Sequence, residues 1–289
     1  MRLALMEAGS RRFVAVEHEG SPVDVTGLVA GVDAALEEPE PLVTLAMQYD
    51  LLAHLAARLD EPAAGRPVEL GAGVRYLPPV RRPGKMVCLG RNYAAHAAES
   101  GLYLPAEPLF FCKASSAVIG HGDAIRIPSW AGRVDPEAEM ALIIGRPGRY
   151  IKPEEAFDHV LGYTCCNDVS AREMQAADVE RGDPWFRSKS IDTFAPLGPY
   201  LVTPDELPDP HRLTIRCIVS GEVRQDSNTS YLVHKIPAIV AAVSRFMTLE
   251  TGDVIATGTP AGMAPIKPGD TVEVHVEGVC RLANPVVSE

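Results

Sequence analysis

No run of about 18 consecutive apolar residues occurs in the chain, so nothing in it reads as a membrane-spanning helix. The start, Met1 to Glu7, holds too short an apolar stretch for a secretory signal. The six cysteines, Cys88, Cys112, Cys165, Cys166, Cys217 and Cys280, form no C-x-x-C pair. That argues against a zinc ribbon and against a disulfide framework. Reduced thiols fit a cytosol, so a cytoplasmic location is expected. Positive charge is scarce: 27 Lys+Arg stand against 38 Asp+Glu, a net charge of -11. A sequence-independent grip on nucleic acid or on an anionic membrane is therefore not expected. A local basic pocket for a small anion stays open. Internal repeats and low-complexity segments are missing too. Thr257-Gly258-Thr259-Pro260-Ala261-Gly262 is glycine-rich, but no Gly-Lys-Ser/Thr follows, so it is not a P-loop.

What is present is an ordinary globular composition, 46% hydrophobic and 22% charged over 289 residues. That length suits one large domain or two smaller ones. The N-terminal part reads as short strands followed by a helix, with Leu42, Leu45, Tyr49, Leu52, Leu55 and Leu59 at helical spacing. Pro- and Gly-rich stretches at 61–67 and 77–84 mark a boundary. The expected division is a small α+β domain over residues 1–75 and a larger one over 76–289. The larger part is strand-rich. Met140 to Ile144 is a continuous apolar run, as in a buried strand. Val272, Val274 and Val276 alternate with polar residues, as do Leu213, Ile215 and Cys217, with Ser220-Gly221 as a hairpin turn. Ser170 to Glu173 has the form of a capping box. Ile236, Ile239, Val240, Val243 and Met247 mark a helix with Gly252 past its end. The fold class is α+β, dominated by a β core.

Several side chains carry chemistry. Glu137 and Glu139 lie two apart where a strand begins, so both point to one face. Adjacent carboxylates repel, and either one is protonated or both bind a cation. All-oxygen ligation suits Mg²⁺, Mn²⁺ or Ca²⁺; a solvated strand end has the same sequence. Asp168 ends another apolar strand and can be a third ligand or a helix cap. Residues 92–101 read as a short helix capped by Asn92 and stopped by Gly101. In it His96 and Glu99 share a face, as a general base with its orienting carboxylate or as a plain surface pair. Such a short helix is marginal alone, so residues 92–104 are expected to act as a lid that orders over ligand. Lys113 and Lys189 lie among apolar residues, where they can hold an anion or snorkel to water. The glycines of 257–262 can bring backbone amides to an oxyanion or form a plain turn.

The order of these motifs resembles the fumarylacetoacetate hydrolase family across about residues 84 to 285. The matching stretches are Gly90-Arg91-Asn92-Tyr93-Ala94-Ala95-His96, Glu137-Ala138-Glu139 and Asn167-Asp168-Val169-Ser170-Ala171-Arg172, then Lys189-Ser190-Ile191-Asp192-Thr193-Phe194 and Thr257-Gly258-Thr259-Pro260. The resemblance implies a mixed β-sandwich roll, a homodimer, and Mg²⁺ or Mn²⁺ held by Glu137, Glu139 and Asp168. It implies His96 and Glu99 as a lid dyad, with Lys189 and Gln175 beside them in catalysis. Arg91, Tyr93, Lys113, Arg172, Gly258 and Thr259 become the substrate-side groups. The family's tyrosine-degrading enzyme carries an acidic ligand two residues before the matching tyrosine; Arg91 stands there, as in the smaller acylpyruvate-hydrolase type. Ala114 follows Lys113 where related sequences often have proline.

The expected function is metal-dependent chemistry on a small 2-oxo or 1,3-dioxo acid through a stabilised enolate. The His96–Glu99 dyad tilts this towards C–C hydrolysis of an acylpyruvate. Oxaloacetate decarboxylation, keto–enol or diene-dioate isomerisation, and dehydration use the same machinery. A non-catalytic metal- or ligand-binding protein would need the carboxylates but no base. A zinc enzyme is disfavoured by the all-oxygen ligand set.

Overall fold

The protein is described from a computed structural model. It covers residues 1–289 except 29–34, 37, 48–52, 54, 56, 59–65, 72, 100 and 102. The expected helix over 42–59 is described as a helix at Pro41–Ala46. Tyr49, Leu52 and Leu59, and most of the 61–67 linker, lie outside the described residues.

A large mixed sheet organises the chain. In space its strands run Arg66–Pro67, Ser21–Asp24, Arg11–His18, Arg2–Ala8, Ala195–Val202, Val160–Asn167, Ala138–Ile144, Val254–Ala256, Met86–Gly90 and Leu109–Lys113. The N-terminal strands thus hydrogen-bond into the same sheet as the C-terminal part, with Leu3 opposite Leu201. Val74–Leu77 pairs with Arg2–Ala8 inside the stretch read as a boundary. A second, five-stranded sheet runs Glu222–Asn228, Thr214–Val219, Thr271–Val276, Cys280–Ser288 and Ile125–Ile127. This is the β-rich α+β architecture expected.

Ala138–Ile144 is buried along its whole length because both faces of the sheet are covered. Met140, Leu142 and Ile144 join Ile215, Cys217, Val272, Val274 and Leu282 of the second sheet in one core. Ala141 and Ile143 face the other way, into a core with Leu42, Leu45, Leu197 and Leu201. Burying each such side chain stabilises the fold by roughly 1.5–3 kcal/mol. Thr271–Val276 has one face buried, as its alternation requires. Ser220 and Gly221, both at positive φ, turn Thr214–Val219 into Glu222–Asn228.

The expected capping box is corrected. Ser170 is not an N-cap: it sits opposite Asp135 in a two-residue ladder and its hydroxyl donates to the Asp168 carbonyl. The helix Arg172–Arg181 begins at Ala171 with no side-chain cap. The Ile236–Phe246 helix ends at the cap residue Met247, with Gly252 past its end as expected. Among the described residues no helix is long and apolar enough to cross a membrane.

Candidate active site

Ala138–Ile144 and Val160–Asn167 pair antiparallel, with Ala138 opposite Asn167. The two stretches pair again at Val134–Asp135 and Ser170–Ala171. Between these ladders lies a short gap containing Glu137 and Asp168, joined by the Asp168 amide donating to the Glu137 carbonyl at 2.9 Å. Glu139 is the second residue of the first strand and projects from the same face as Glu137. The three carboxylates converge: one oxygen from each lies within 4.8 Å of the others, and all three residues are buried.

Cations surround this cluster. Lys189, at the end of the short helix Phe186–Lys189, donates to Glu137 Oε2 and Asp168 Oδ2, each at 2.7 Å. Its ammonium also lies 5.1 Å from the Phe111 ring centroid. Lys113 ends Leu109–Lys113 and donates to Asp168 Oδ1 at 2.6 Å and to the Val169 carbonyl at 3.1 Å. Both lysines are buried, so neither snorkels to water. Arg172 is held by Glu137 Oε1, Asp135 and the Gln175 side chain. Burial pushes the Glu137 carboxyl up, but Arg172 and Lys189 outweigh it and hold it well below the usual carboxylate range.

Glu139 differs. Its Oε2 accepts the Gly258 amide at 2.8 Å, and burial, then Asp168 and Glu137, push its carboxyl well above the usual range. A buried carboxylate with no salt-bridge partner among the described residues, beside two others, is chemistry that a divalent cation relieves. The oxygen-only donor set fits Mg²⁺, Mn²⁺ or Ca²⁺. Gly258 is required for its approach: its φ is +98, and a Cβ there would stand 2.8 Å from that of Asn92.

Above the carboxylates opens a cavity of about 460 Å³. Of the expected residues, Arg91, His96, Glu137, Asp168, Arg172, Gln175, Lys189 and Thr259 line it. Lys113, Glu139 and Gly258 stand behind that wall, reaching it through their bonds to the cluster. Tyr93 is buried, and its hydroxyl finds no partner among the described residues. In the segment expected to act as a lid, the helix is Ala94–Glu99. Asn92 does not cap it; its amide donates to the His234 and Thr257 carbonyls and accepts from the His234 amide.

His96 and Glu99 come close without bonding: Nδ1 and Oε2 are 3.9 Å apart. Glu99 instead accepts the Gly262 amide at 3.0 and 3.2 Å. Burial pulls the His96 pKa below 6.5, helped by Arg172 and Lys189. Arg91, in the left-handed region at φ 57, stacks 4.8 Å from the Tyr103 centroid and 5.5 Å from that of Trp185. Its Nε and Nη1 are buried with no partner among the described residues.

Sequence reasoning missed much of the rest of this wall. Asp135 is fully buried and ties Arg133 to Arg172; its spacing continues that of Glu137 and Glu139, but the strand is interrupted between them. Arg133, Trp185 and Met263 also line the cavity, and no local pattern marks them.

Comparison with known proteins agrees with this geometry. A mitochondrial oxaloacetate tautomerase of Xenopus laevis is 44% identical over 223 residues, 75% of this chain and 69% of that protein. A 5-carboxymethyl-2-hydroxymuconate delta-isomerase from Mycobacterium smegmatis shares 38% identity at a TM-score of 0.77, covering 100% of this chain and 99% of that one. Maleylpyruvate hydrolase from Sphingobium sp. SYK-6, solved with manganese(II) and pyruvate, shares 32% identity at a TM-score of 0.83, covering 100% and 99%. The sequence model described as fumarylacetoacetate (FAA) hydrolase C-terminal matches residues 85–287, the stretch that supplies every side chain of the cavity wall named above. The chain belongs to the fumarylacetoacetate hydrolase family of enzymes.

Proposed function

We propose that the chain is a divalent-metal-dependent enzyme that forms and reprotonates the enolate of a small 2-oxo or 1,3-dioxo acid. Its net reaction on this reading is keto–enol tautomerisation or a related isomerisation. The observation that carries the reading is the cluster of Glu137, Glu139 and Asp168 below a cavity that also holds His96. When bound, Mg²⁺ or Mn²⁺ supplies Lewis acidity towards the carboxylate and 2-oxo oxygens.

The remaining work falls to the protein. Lys189 adds positive charge beside those oxygens, held in place by Glu137 and Asp168. Four cations, Lys113, Lys189, Arg172 and Arg133, face four carboxylates, Glu137, Glu139, Asp168 and Asp135, so a divalent ion leaves the centre with a positive excess. That excess suits a dianionic acid. The Nε and Nη1 of Arg91, without a partner among the described residues, offer donors to a second carboxylate at the far end. His96, neutral near pH 7, takes the proton from C3 and passes it to the enolate oxygen, or carries it the other way, so that keto and enol forms interconvert. The relatives named for tautomerase and isomerase activity support this outcome.

A second reading is C–C hydrolysis of an acylpyruvate. The cavity volume favours it, since about 460 Å³ lies in the range of ~300–1,000 Å³ that houses drug-sized ligands and leaves room for an acyl arm. It needs Glu99 to leave Gly262 and bond His96. Decarboxylation of oxaloacetate would use the same enolate without a base. We take the enzyme to be a homodimer and to work in a reducing compartment such as the cytosol, and the free state of all six cysteines supports the second of these readings.

Oxaloacetate and an acylpyruvate assayed with Mg²⁺ or Mn²⁺ separate these outcomes, following enol absorbance, pyruvate and CO₂ in parallel. Enol loss without pyruvate or CO₂ is the expected result. Pyruvate released from the acylpyruvate moves the assignment to hydrolysis. Activity indifferent to EDTA refutes the metal.

A further inference from the structure

Gln225 lies on the second sheet, outside every motif read from the sequence, yet it is only 1% exposed. Its strand slips register: Cys217 faces Gln225 but Ile218 faces Val223, leaving Arg224 as an extra residue. Such a bulge re-aims side chains. Here Gln225 is the one fully buried residue of Glu222–Asn228. Gly262 permits the approach of the 257–262 loop, since its φ is +109 and a Cβ there would collide with the Arg224 carbonyl.

The Gln225 amide makes three hydrogen bonds. Oε1 accepts the Ala138 amide at 2.8 Å, while Nε2 donates to the Pro260 carbonyl at 2.7 Å and to Thr259 Oγ1 at 2.8 Å. The first two partners permit one orientation only. The Ala138 N–H needs an oxygen, and the Pro260 carbonyl needs an N–H. Thr259 must then accept from Gln225. A hydroxyl has a single proton, and among the described residues nothing accepts that of Thr259. Thr259 lines the cavity with Glu137, Asp168 and Lys189.

We propose that Gln225 is a positioning residue that fixes Thr259 as a hydrogen-bond donor towards an oxygen of the bound acid or its enolate. The proposal rests on the function above, because it takes the cavity as the place where a 2-oxo acid sits. A donor already aimed at that oxygen stabilises negative charge as it develops. A hydroxyl turned the other way would present lone pairs to it.

The test titrates oxalate, a stable dianion, into Mg²⁺-loaded protein by calorimetry. In Gln225→Glu the side chain still accepts the Ala138 amide. Ionised, it has no proton for Thr259; neutral, its one proton is claimed by the Pro260 carbonyl. Either way the Thr259 hydroxyl is drawn towards the variant's new carboxyl group and away from the cavity. Thr259→Val is expected to weaken oxalate binding about 10- to 100-fold in the parent, the scale of a lost bond to a charged group. In the Gln225→Glu background it should cost less than about threefold, because coupled residues do not add. Thr259→Ser keeps the donor and should restore affinity to within about threefold of the parent. An equal cost of Thr259→Val in both backgrounds overturns the proposal. A parent that does not bind oxalate at all overturns the functional reading, and the proposal with it. If Gln225→Glu does not fold, a neutron structure of the Mg²⁺- and oxalate-loaded parent decides. The Thr259 deuteron pointing at oxalate is the expected result, and one pointing at Gln225 refutes it.

Discussion

Replacing His96 by alanine removes the only imidazole that lines the cavity among the described residues. Its Nδ1 is buried without a partner there. Burial, with Arg172 and Lys189, lowers its pKa below 6.5, against the raising pull of Glu137 and Glu99. The ring is therefore neutral near pH 7, and its basic form is lost as pH falls through that lowered value. The acid limb of kcat/KM is expected below pH 6.5. Loss of a general base costs roughly 10²–10⁴ in rate, or about 2.7–5.4 kcal/mol. His96→Ala should fall in that range and should lose the acid limb. Glu99 stands 3.9 Å from the ring with both oxygens turned to Gly262. Its contribution is at most that of a modest hydrogen bond, so Glu99→Gln should cost less than about tenfold. Initial rates with Mg²⁺ from about pH 5 to 9 measure both effects. An alanine variant within about threefold of the parent, or an unchanged acid limb, refutes the role of His96. Equal losses in the two variants would mean that Glu99 closes on His96, and would favour hydrolysis.

Two further outcomes follow from the charge arrangement. Because burial, Asp168 and Glu137 raise the Glu139 carboxyl, its anion destabilises the metal-free fold at pH 7, and that penalty fades as pH falls towards 4.5. Glu139→Gln should therefore raise the melting temperature in EDTA at pH 7 and remove the stabilisation given by Mn²⁺; a lower melting temperature in EDTA would contradict this. Lys113→Met leaves the buried Asp168 carboxylate with Lys189 alone, and urea unfolding of metal-free protein should lose about 1.5–3 kcal/mol, the scale of a lost bond to a charged group. A loss below about 1 kcal/mol would show that Asp168 is served without it.

Much of the site was legible because it depends on short-range order. Glu137 and Glu139 share a face by strand alternation, and Asp168 marks the end of an apolar strand, so pairing those strands brings all three together. The same alternation reaches Asp135, but Pro136 interrupts the strand and hides it. Asn92 and Ser170 were misread as helix caps because both have the right residue type at the right place. Tertiary partners, His234 and Thr257 for one and the Asp168 carbonyl for the other, win over the local cap. Lys113 and Lys189 have the sequence of ordinary snorkelling lysines; only the carboxylates opposite explain their burial. Gln225 was illegible, since its partners lie in other sheets and loops and a bulge aims it at them. The pairing of Arg2–Ala8 with Ala195–Val202 was hidden for the same reason: contacts so distant in sequence leave no local pattern.

The central claim, that this cavity forms an enolate of a 2-oxo acid with a divalent metal held by Glu137, Glu139 and Asp168, is tested most directly by hydrogen exchange in pyruvate. Proton NMR in D₂O follows the methyl signal with the enzyme and Mn²⁺-free Mg²⁺ buffer, then after EDTA, then with Glu139→Gln. The account predicts loss of the methyl protons to deuterium with the loaded parent enzyme, and no exchange above the metal-only control in the other two samples. Exchange that survives EDTA and the substitution, or a loaded parent no faster than the control, would contradict it.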